Sequence, residues 1–168
     1  MNSSRIMFVE FNSTMDISLL ENHQIELSNV THMRYSQQSN IDHSLKSTED
    51  YITKIVNSGG KFYFLKQISN ELVVGSITIK PINAESAEIG IFVYEKFSNL
   101  GLGTEAFHIV RAVLIQMGFK VMIAGTKINH FAMRRIFEKT GMVIVTSRNF
   151  LNDRFVELDH VYFGIKLI

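Results

Sequence analysis

The sequence has no cysteine and a single proline, Pro81. Without thiols there is no disulfide framework, no thiolate metal site and no cysteine nucleophile, so nothing in the chain requires an oxidising compartment. One proline and no Ser/Gly-rich tract leave no internal linker to divide the chain. Charge of one sign is also lacking. There are 17 Lys and Arg against 16 Asp and Glu, a net +1, and no basic block is longer than Arg134-Arg135. A nucleic-acid partner would show a basic stripe, so none is expected. No run approaches the roughly 18 apolar residues of a membrane-crossing helix, and MNSSRIMFVEFN has no apolar stretch of signal-peptide length. Six histidines, at 23, 32, 43, 108, 130 and 160, form no H-x-H or H-E-x-x-H grouping, so no metal site is expected. No segment repeats with a period of 20–50 residues. These absences lead us to expect a soluble, cytoplasmic protein of one domain, residues 1–168, long enough to bury a full core.

The patterning that is present gives an order of elements. RIMFVEF (5–11) alternates and is rich in aromatic and β-branched residues, which predicts a strand. STMDISLLENHQIELSN places Leu19, Leu20 and Ile25 at helical spacing and predicts one or two short helices. A second helix is predicted over 47–58, capped by Ser47 or Thr48, burying Tyr51, Ile52 and Ile55, and ended by Gly59-Gly60. KFYFLKQI (61–68) and ELVVGSITIKPI (71–82) read as a hairpin around Ser69-Asn70, and SAEIGIFVYE (86–95) as a third strand. From Gly101 to Met117 the residues Leu102, Ala106, Val110, Val113, Leu114 and Met117 share one face, closed by Gly118, the strongest helical signal in the chain. A strand over 120–127, a helix over 131–140 closed by Gly141, and strands near 142–149 and 154–167 complete an α+β fold with a mixed sheet.

The stretch EKFSNLGLGTEA (95–106) puts Gly-x-Gly at the start of the long helix, where bare backbone N–H groups can meet a phosphate. GLGTEA also satisfies the dinucleotide fingerprint G-x-G-x-x-G/A. That fingerprint should follow the first strand of a βαβ unit and be answered about 20 residues later by an acid at the end of the next strand. Here three strands precede the loop, and the next strand, KVMIAGTK, has no acid. A nicotinamide or flavin is therefore not expected.

Ser98-Asn99-Leu100-Gly101-Leu102-Gly103, directly after a strand and opening a long helix, resembles the Q/R-x-x-G-x-G/A signature of the GNAT acetyltransferases, with Ser98 in place of Gln or Arg. AEIGIFVYEKF is similar to the strand that precedes this loop in the family. NHFAMRRIFEKTGM (129–142) is similar to the family's second helix, N-x-x-A/S-x-x-x-Y-E-K-x-G-F. Counted from Asn129, Ala132 falls at the expected place. Counted back from Gly141, His130 stands at the asparagine place and Phe137 at the tyrosine place. LSNVTHMRYSQQ together with the 47–58 helix resembles the N-terminal half of ribosomal-protein alanine acetyltransferase-like and bacterial amino-sugar acetyltransferases.

The resemblance implies the GNAT fold, a mostly antiparallel mixed sheet of six to seven strands flanked by about four helices. It implies acetyl-CoA as co-substrate, with its pyrophosphate on Ser98, Asn99, Leu100, Gly101, Leu102, Gly103 and Thr104. The pantetheine arm would lie along Ile91, Phe92 and Val93, with Asn129, His130 and Phe137 as further contacts. The activity implied is transfer of an acetyl group to a primary amine, of a small molecule such as an amino sugar or, alternatively, of a protein N-terminus. A catalytically silent acyl-CoA-binding module is a third reading, and a homodimer is left open.

Two carboxylates weigh differently in that chemistry. Glu88 lies on the strand that would position the thioester and shares a face with Gly90 and Phe92, so it is the candidate general base, against the alternative of an exposed strand residue. Glu105, in the first turn of the long helix, complements the helix dipole whatever the function. Asn129 is a ready N-cap for the second helix. Phe137 has no hydroxyl to protonate a departing thiolate and has core spacing with Met133 and Ile136, so water or another tyrosine, Tyr35 or Tyr94, would supply that proton.

Overall fold

The computed structural model describes residues 4–12, 17–28, 45–145 and 160–167. In chain order the elements are β1 (Ile6–Glu10), α1 (Ile17–Ser28), α2 (Leu45–Asn57), β2 (Lys61–Gln67), β3 (Val73–Pro81), β4 (Ser86–Val93), α3 (Leu102–Gln116), β5 (Val121–Lys127), α4 (Phe131–Lys139), β6 (Val143–Ile144) and β7 (His160–Lys166). A short 3-10 turn, Glu95–Phe97, links β4 to the loop before α3. The sheet order is β1-β2-β3-β4-β5-β7-β6. Every pair is antiparallel except β4 with β5. This is the expected α+β fold, with four helices and seven strands among the described residues.

Period-two alternation divides the sheet into two faces. On one, Leu65, Ile77, Ile79, Ala87 and Ile89 pack against the stripe Leu102, Ala106, Phe107, Val110 and Leu114 of α3. The spacing i, i+4, i+8, i+12 is what lets a straight helix bury one continuous edge. On the other face Phe62 and Phe64 of β2 meet Leu20 of α1 and Ile52 of α2. Glycines in the left-handed region end both long helical segments where predicted, Gly118 at φ 88° after α3 and Gly141 at φ 82° after α4.

The structure corrects the predicted boundaries at several points. Residues 17–28 form one helix rather than two, and its buried positions are Leu20 and His23, while Ile25 is 52% exposed. The second helix starts at Leu45, so Ser47 and Thr48 lie inside it rather than at its cap. Its buried stripe is Thr48, Ile52 and Ile55 at i, i+4, i+7; Tyr51 falls off that stripe and instead lies under the Lys80 ammonium, 5.5 Å from the ring centre. The β2–β3 connection is longer than two residues: the Gln67 N–H donates to Leu72 O, and Glu71 takes φ 61° to close the loop. Strand β4 stops at Val93. The last two strands are Val143–Ile144 and His160–Lys166; the expected extension between them, like the segment THMRYSQQ and Tyr35, lies outside the described residues.

His23 is the main polar group buried in the second core. Its ring is 3% exposed and sits within 5.7–5.8 Å of the Phe62, Phe64, Phe92 and Tyr94 rings, while Nδ1 lies 2.9 Å from the Tyr94 hydroxyl. Burial lowers its pKa from 6.5 to about 4, because a charged imidazolium among four aromatic rings has lost its water. Burial, with the Glu26 carboxylate nearby, pushes the Tyr94 phenol upward.

The folded pKa lies below the unfolded one, so the unfolded chain takes up the proton first as pH falls. Stability present above pH 6.5 is lost progressively down to about pH 4. Denaturant titrations at fixed pH should show a loss of up to about 3 kcal/mol across that window attributable to this group. His23→Gln should flatten that part of the pH profile; an unchanged slope in the variant would assign the acid sensitivity to another group.

Candidate active site

The parallel ladder between β4 and β5 spans only three pairs, Ser86↔Val121, Ala87↔Met122 and Glu88↔Ile123. Both strands continue beyond it, β4 to Val93 and β5 to Lys127, with no further pairing to each other. Their outer edges stay bonded, β4 to β3 through Val93 and β5 to β7 through Lys127. A wedge therefore opens between them. Because the strands are parallel, the chain leaves both at the wide end, and α3 and α4 each begin there.

The loop entering α3 has an unusual backbone. Asn99 takes φ 62° and Gly101, the residue before the helix, φ 79°. Two left-handed residues so close together fit Asn and Gly, the types that tolerate this region best. The first helical bond runs from the Glu105 N–H to Gly101 O, so the N–H groups of Leu102, Gly103 and Thr104 precede any intrahelical partner. No side chain caps this end. Gly103 serves a different need: a Cβ there would stand 3.1 Å from Ile136 Cδ1 and 3.8 Å from Val93 Cγ2, so its lack of a side chain lets α4 close against α3 and β4.

The loop is held from outside by Arg5. Its Nη1 donates to Leu100 O at 3.0 Å and its Nε to Glu105 Oε2 at 2.8 Å, while the Arg5 N–H and the Ser4 hydroxyl donate to Glu105 Oε1. Burial would raise the Glu105 pKa, but these hydrogen bonds outweigh it and hold the carboxyl below its ordinary value. Glu105 thus ties the first strand to the first turn of α3. No feature of the sequence pairs residues a hundred positions apart, so this contact was not anticipated.

A cavity of about 360 Å³ lies between this loop and α4. Ile91, Val93, Ser98, Asn99, Gly101, Leu102, Gly103, Thr104 and His130 line it, all of them anticipated from the sequence. Phe97, Ala132, Met133, Arg135, Ile136 and Lys139 line it as well. The helical spacing of 132, 135, 136 and 139 could have revealed that stripe.

Five of the predicted site residues lie elsewhere. Phe92 points to the opposite face, against His23 and Tyr94. The Leu100 side chain is 52% exposed, and it is its carbonyl that is used, by Arg5. Asn129 neither lines the cavity nor caps α4, whose N-cap is His130, because the helix starts one residue later than a cap at 129 requires. His130 Nδ1 lies 3.2 Å from the Thr126 hydroxyl at the end of β5. Phe137 is 2% exposed and stacks between Phe107 and Phe163, at 5.2 and 5.0 Å, as its apolar spacing suggested. Glu88 is half-buried at the apex of the wedge, on the face opposite to Ile91 and Val93. Tyr94, considered as a proton donor, is fully buried with its hydroxyl bonded to His23.

Among the described residues no group of three or more His, Cys, Asp or Glu could hold a metal, and no helix is long and apolar enough to cross a membrane. The arrangement suits an elongated anionic ligand, with its charge at the α3 amides and an uncharged arm directed into the wedge.

No curated protein matches the chain. Solved structures do: an acetyltransferase of the GNAT family from Staphylococcus aureus Mu50 has a TM-score of 0.75 at 18% identity over 97% of this chain and 99% of that one. Spermidine N-acetyltransferase from Vibrio cholerae, solved with CoA and spermine, has a TM-score of 0.75 at 14% identity over 98% and 97%. The N-acetyltransferase PseH of Campylobacter jejuni, solved with acetyl coenzyme A, gives 0.65 at 15% over 96% and 98%. At these identities the likeness is one of fold. The model of the acetyltransferase (GNAT) domain matches residues 5–143, which include the loop, the wedge and α4. The chain therefore belongs to the GNAT acetyltransferase family.

Proposed function

We propose that the protein is an acetyl-CoA-dependent N-acetyltransferase acting on the primary amine of a small molecule, such as an amino sugar. The observation that carries this reading is the cavity between the uncapped start of α3 and α4, lined from the sheet by Ile91 and Val93 in the part of β4 that has left β5. Its residues fit the coenzyme: amides of 102–104 for the pyrophosphate, and Ile91 and Val93 for the arm. Acetyl-CoA would supply an acetyl group on a thioester. The V. cholerae enzyme, whose complex contains spermine, supports a small amine as the acceptor class.

The residues divide the work between the two faces of β4. On the cavity side Ile91 and Val93 hold the acyl donor, while on the opposite side Glu88, at the apex of the wedge, faces the space from which an amine approaches. A primary ammonium with a pKa of roughly 10 must lose a proton before it can attack. Glu88 takes that proton, directly or through a water. The amine nitrogen bonds to the thioester carbonyl carbon, the carbon–sulfur bond breaks, the sulfur leaves with the electron pair, and the nitrogen's second proton passes to solvent. A thiolate with a pKa of roughly 8.5 is a stable leaving group that solvent can protonate. The reaction accordingly does without Phe137, which has no hydroxyl, and Tyr94, whose hydroxyl is engaged by His23.

Single-turnover mixing with acetyl-CoA and a panel of amines, reading free thiol, tests the proposal; release of thiol only with peptide N-termini would favour the protein substrate, and no release with any amine a silent binding module. Glu88→Gln should lower kcat by roughly 10²-fold or more and remove the acidic limb of the pH–rate profile, with acetyl-CoA affinity nearly unchanged. Wild-type turnover in that variant across mildly acidic to mildly alkaline pH would return Glu88 to a structural role.

The glycines give a separate test by calorimetry. Gly103→Val should weaken coenzyme binding by roughly tenfold or more, because the new side chain pushes Ile136 and α4 away from the loop. Gly101→Ala must hold φ 79° and should cost about 1 kcal/mol or more in stability or binding. Unchanged coenzyme affinity in Gly103→Val would remove the coenzyme from this loop.

A further inference from the structure

On the face of the sheet turned away from the cavity, one row of β3 side chains is polar where a core-facing row would be apolar. Ser76, Thr78 and Lys80 alternate with Gly75, Ile77 and Ile79, and across the ladder they stand opposite Phe92, Gly90 and Glu88 of β4. The row is not simply solvated: Ser76 is 4% exposed and Thr78 8%. Helix α1 reaches this face at Phe92 through His23, and α2 reaches it at Lys80 through Tyr51, whose ring takes the Lys80 ammonium. Thr78 and Gly90 lie between those two contacts. Gly90 belongs to a central strand and is bonded along one side to β3, yet it is exposed.

Thr78 turns its hydroxyl into that opening. Its Oγ1 stands 2.7 Å from where a Cβ on Gly90 would be, so the hydroxyl borders the space that the glycine leaves empty. It makes no hydrogen bond among the described residues, and no enclosed side-chain oxygen among them is without a partner. The hydroxyl is therefore the accessible part of an otherwise buried residue, and its capacity to bond is met only by what enters the notch.

We infer that the notch of Thr78 and Gly90 is the subsite that selects the acceptor, taking a hydroxyl on the carbon next to the one that bears the amine. The substrate is then a hydroxylated monoamine rather than a polyamine. The inference rests on the acetyl-transfer reading given above and names its acceptor class. Glu88, which receives the ammonium, lies two residues from Gly90 on the same face of β4, roughly 7 Å along the strand. An amine and a hydroxyl on adjacent carbons, each with one hydrogen bond of about 2.8 Å to the protein, span a comparable length. Charge points the same way. Glu88 is the sole acid within β2, β3, β4, β5 and β7, so this floor offers one carboxylate for one ammonium. A second ammonium would meet Lys80, the residue directly across from Glu88.

The test measures kcat/KM of the full chain, as thiol released from acetyl-CoA, on D-glucosamine, trans-2-aminocyclohexanol, cyclohexylamine and spermine. Wild type should favour each amino alcohol over cyclohexylamine and spermine by tenfold or more. Thr78→Val keeps the shape of the side chain and removes the hydroxyl. It should bring the ratio of aminocyclohexanol to cyclohexylamine close to one by loss on the amino alcohol, mostly in KM, and Thr78→Ser should retain most of the preference. Gly90→Ala should also erase the preference, because the new methyl displaces the Thr78 hydroxyl and fills the notch. Calorimetric affinity for acetyl-CoA checks that each variant folds. An undiminished ratio in Thr78→Val, or wild-type turnover of cyclohexylamine or spermine that equals or exceeds that of the amino alcohols, overturns the subsite alone. Thiol release with none of the four amines overturns the acetyl-transfer reading together with it.

Discussion

Three residue pairs of parallel ladder hold the centre of this molecule together, and the site exists because there are only three. A sheet in which β4 and β5 stayed paired to their ends would have no opening. The strands can part because each keeps a full antiparallel partner on its outer side, so separation leaves only one edge of each strand unpaired. Parallel direction then does the rest. The crossover through α3 and the departure into α4 both begin at the open end, which collects two helix starts around one gap.

The two faces of β4 take different duties from simple alternation. Ile91 and Val93 face the cavity under α3 and α4, while Glu88 and Phe92 face the side covered by α1 and α2. A donor and an acceptor approaching from opposite faces would meet at the wedge, where the sheet offers no wall between them. The aromatic cluster around His23 lies beside that meeting place, its histidine tied to the Tyr94 hydroxyl, and among the described residues no buried side-chain nitrogen or oxygen lacks a partner.

What could be read from the sequence follows from the range of the interactions involved. The α3 stripe, the glycine stops at 118 and 141, and the Gly-x-Gly loop are local patterns, and they appear where periodicity placed them. Helix α4 was located correctly, and Phe137 lies in the core with Met133 and Ile136 packed against it, as their spacing suggested. What an apolar pattern with two arginines and a lysine did not reveal is that part of the solvated remainder supplies a cavity wall. His23 was hidden for the opposite reason: a histidine in a polar helix gives no sign of burial until four aromatic rings, from β2, β4 and Tyr94 just after β4, surround it. The β2–β3 connection was predicted too short because Glu71 adopts a left-handed conformation that its side chain does not advertise.

The hydrogen bonds from Ser4 and Arg5 to Glu105 and Leu100 join groups about a hundred residues apart. Their consequence is temporal. Strand β1 sits at the edge of the sheet with β2 as its only strand partner, so its arrival on β2 and α3 closes a very long loop of chain and comes late in any folding sequence ordered by contact separation. Until it arrives, the loop that begins α3 lacks the guanidinium that fixes its Leu100 carbonyl. The geometry of the loop that begins α3 is thus among the last features of the molecule to be completed, and among the first to loosen when the edge strand frays.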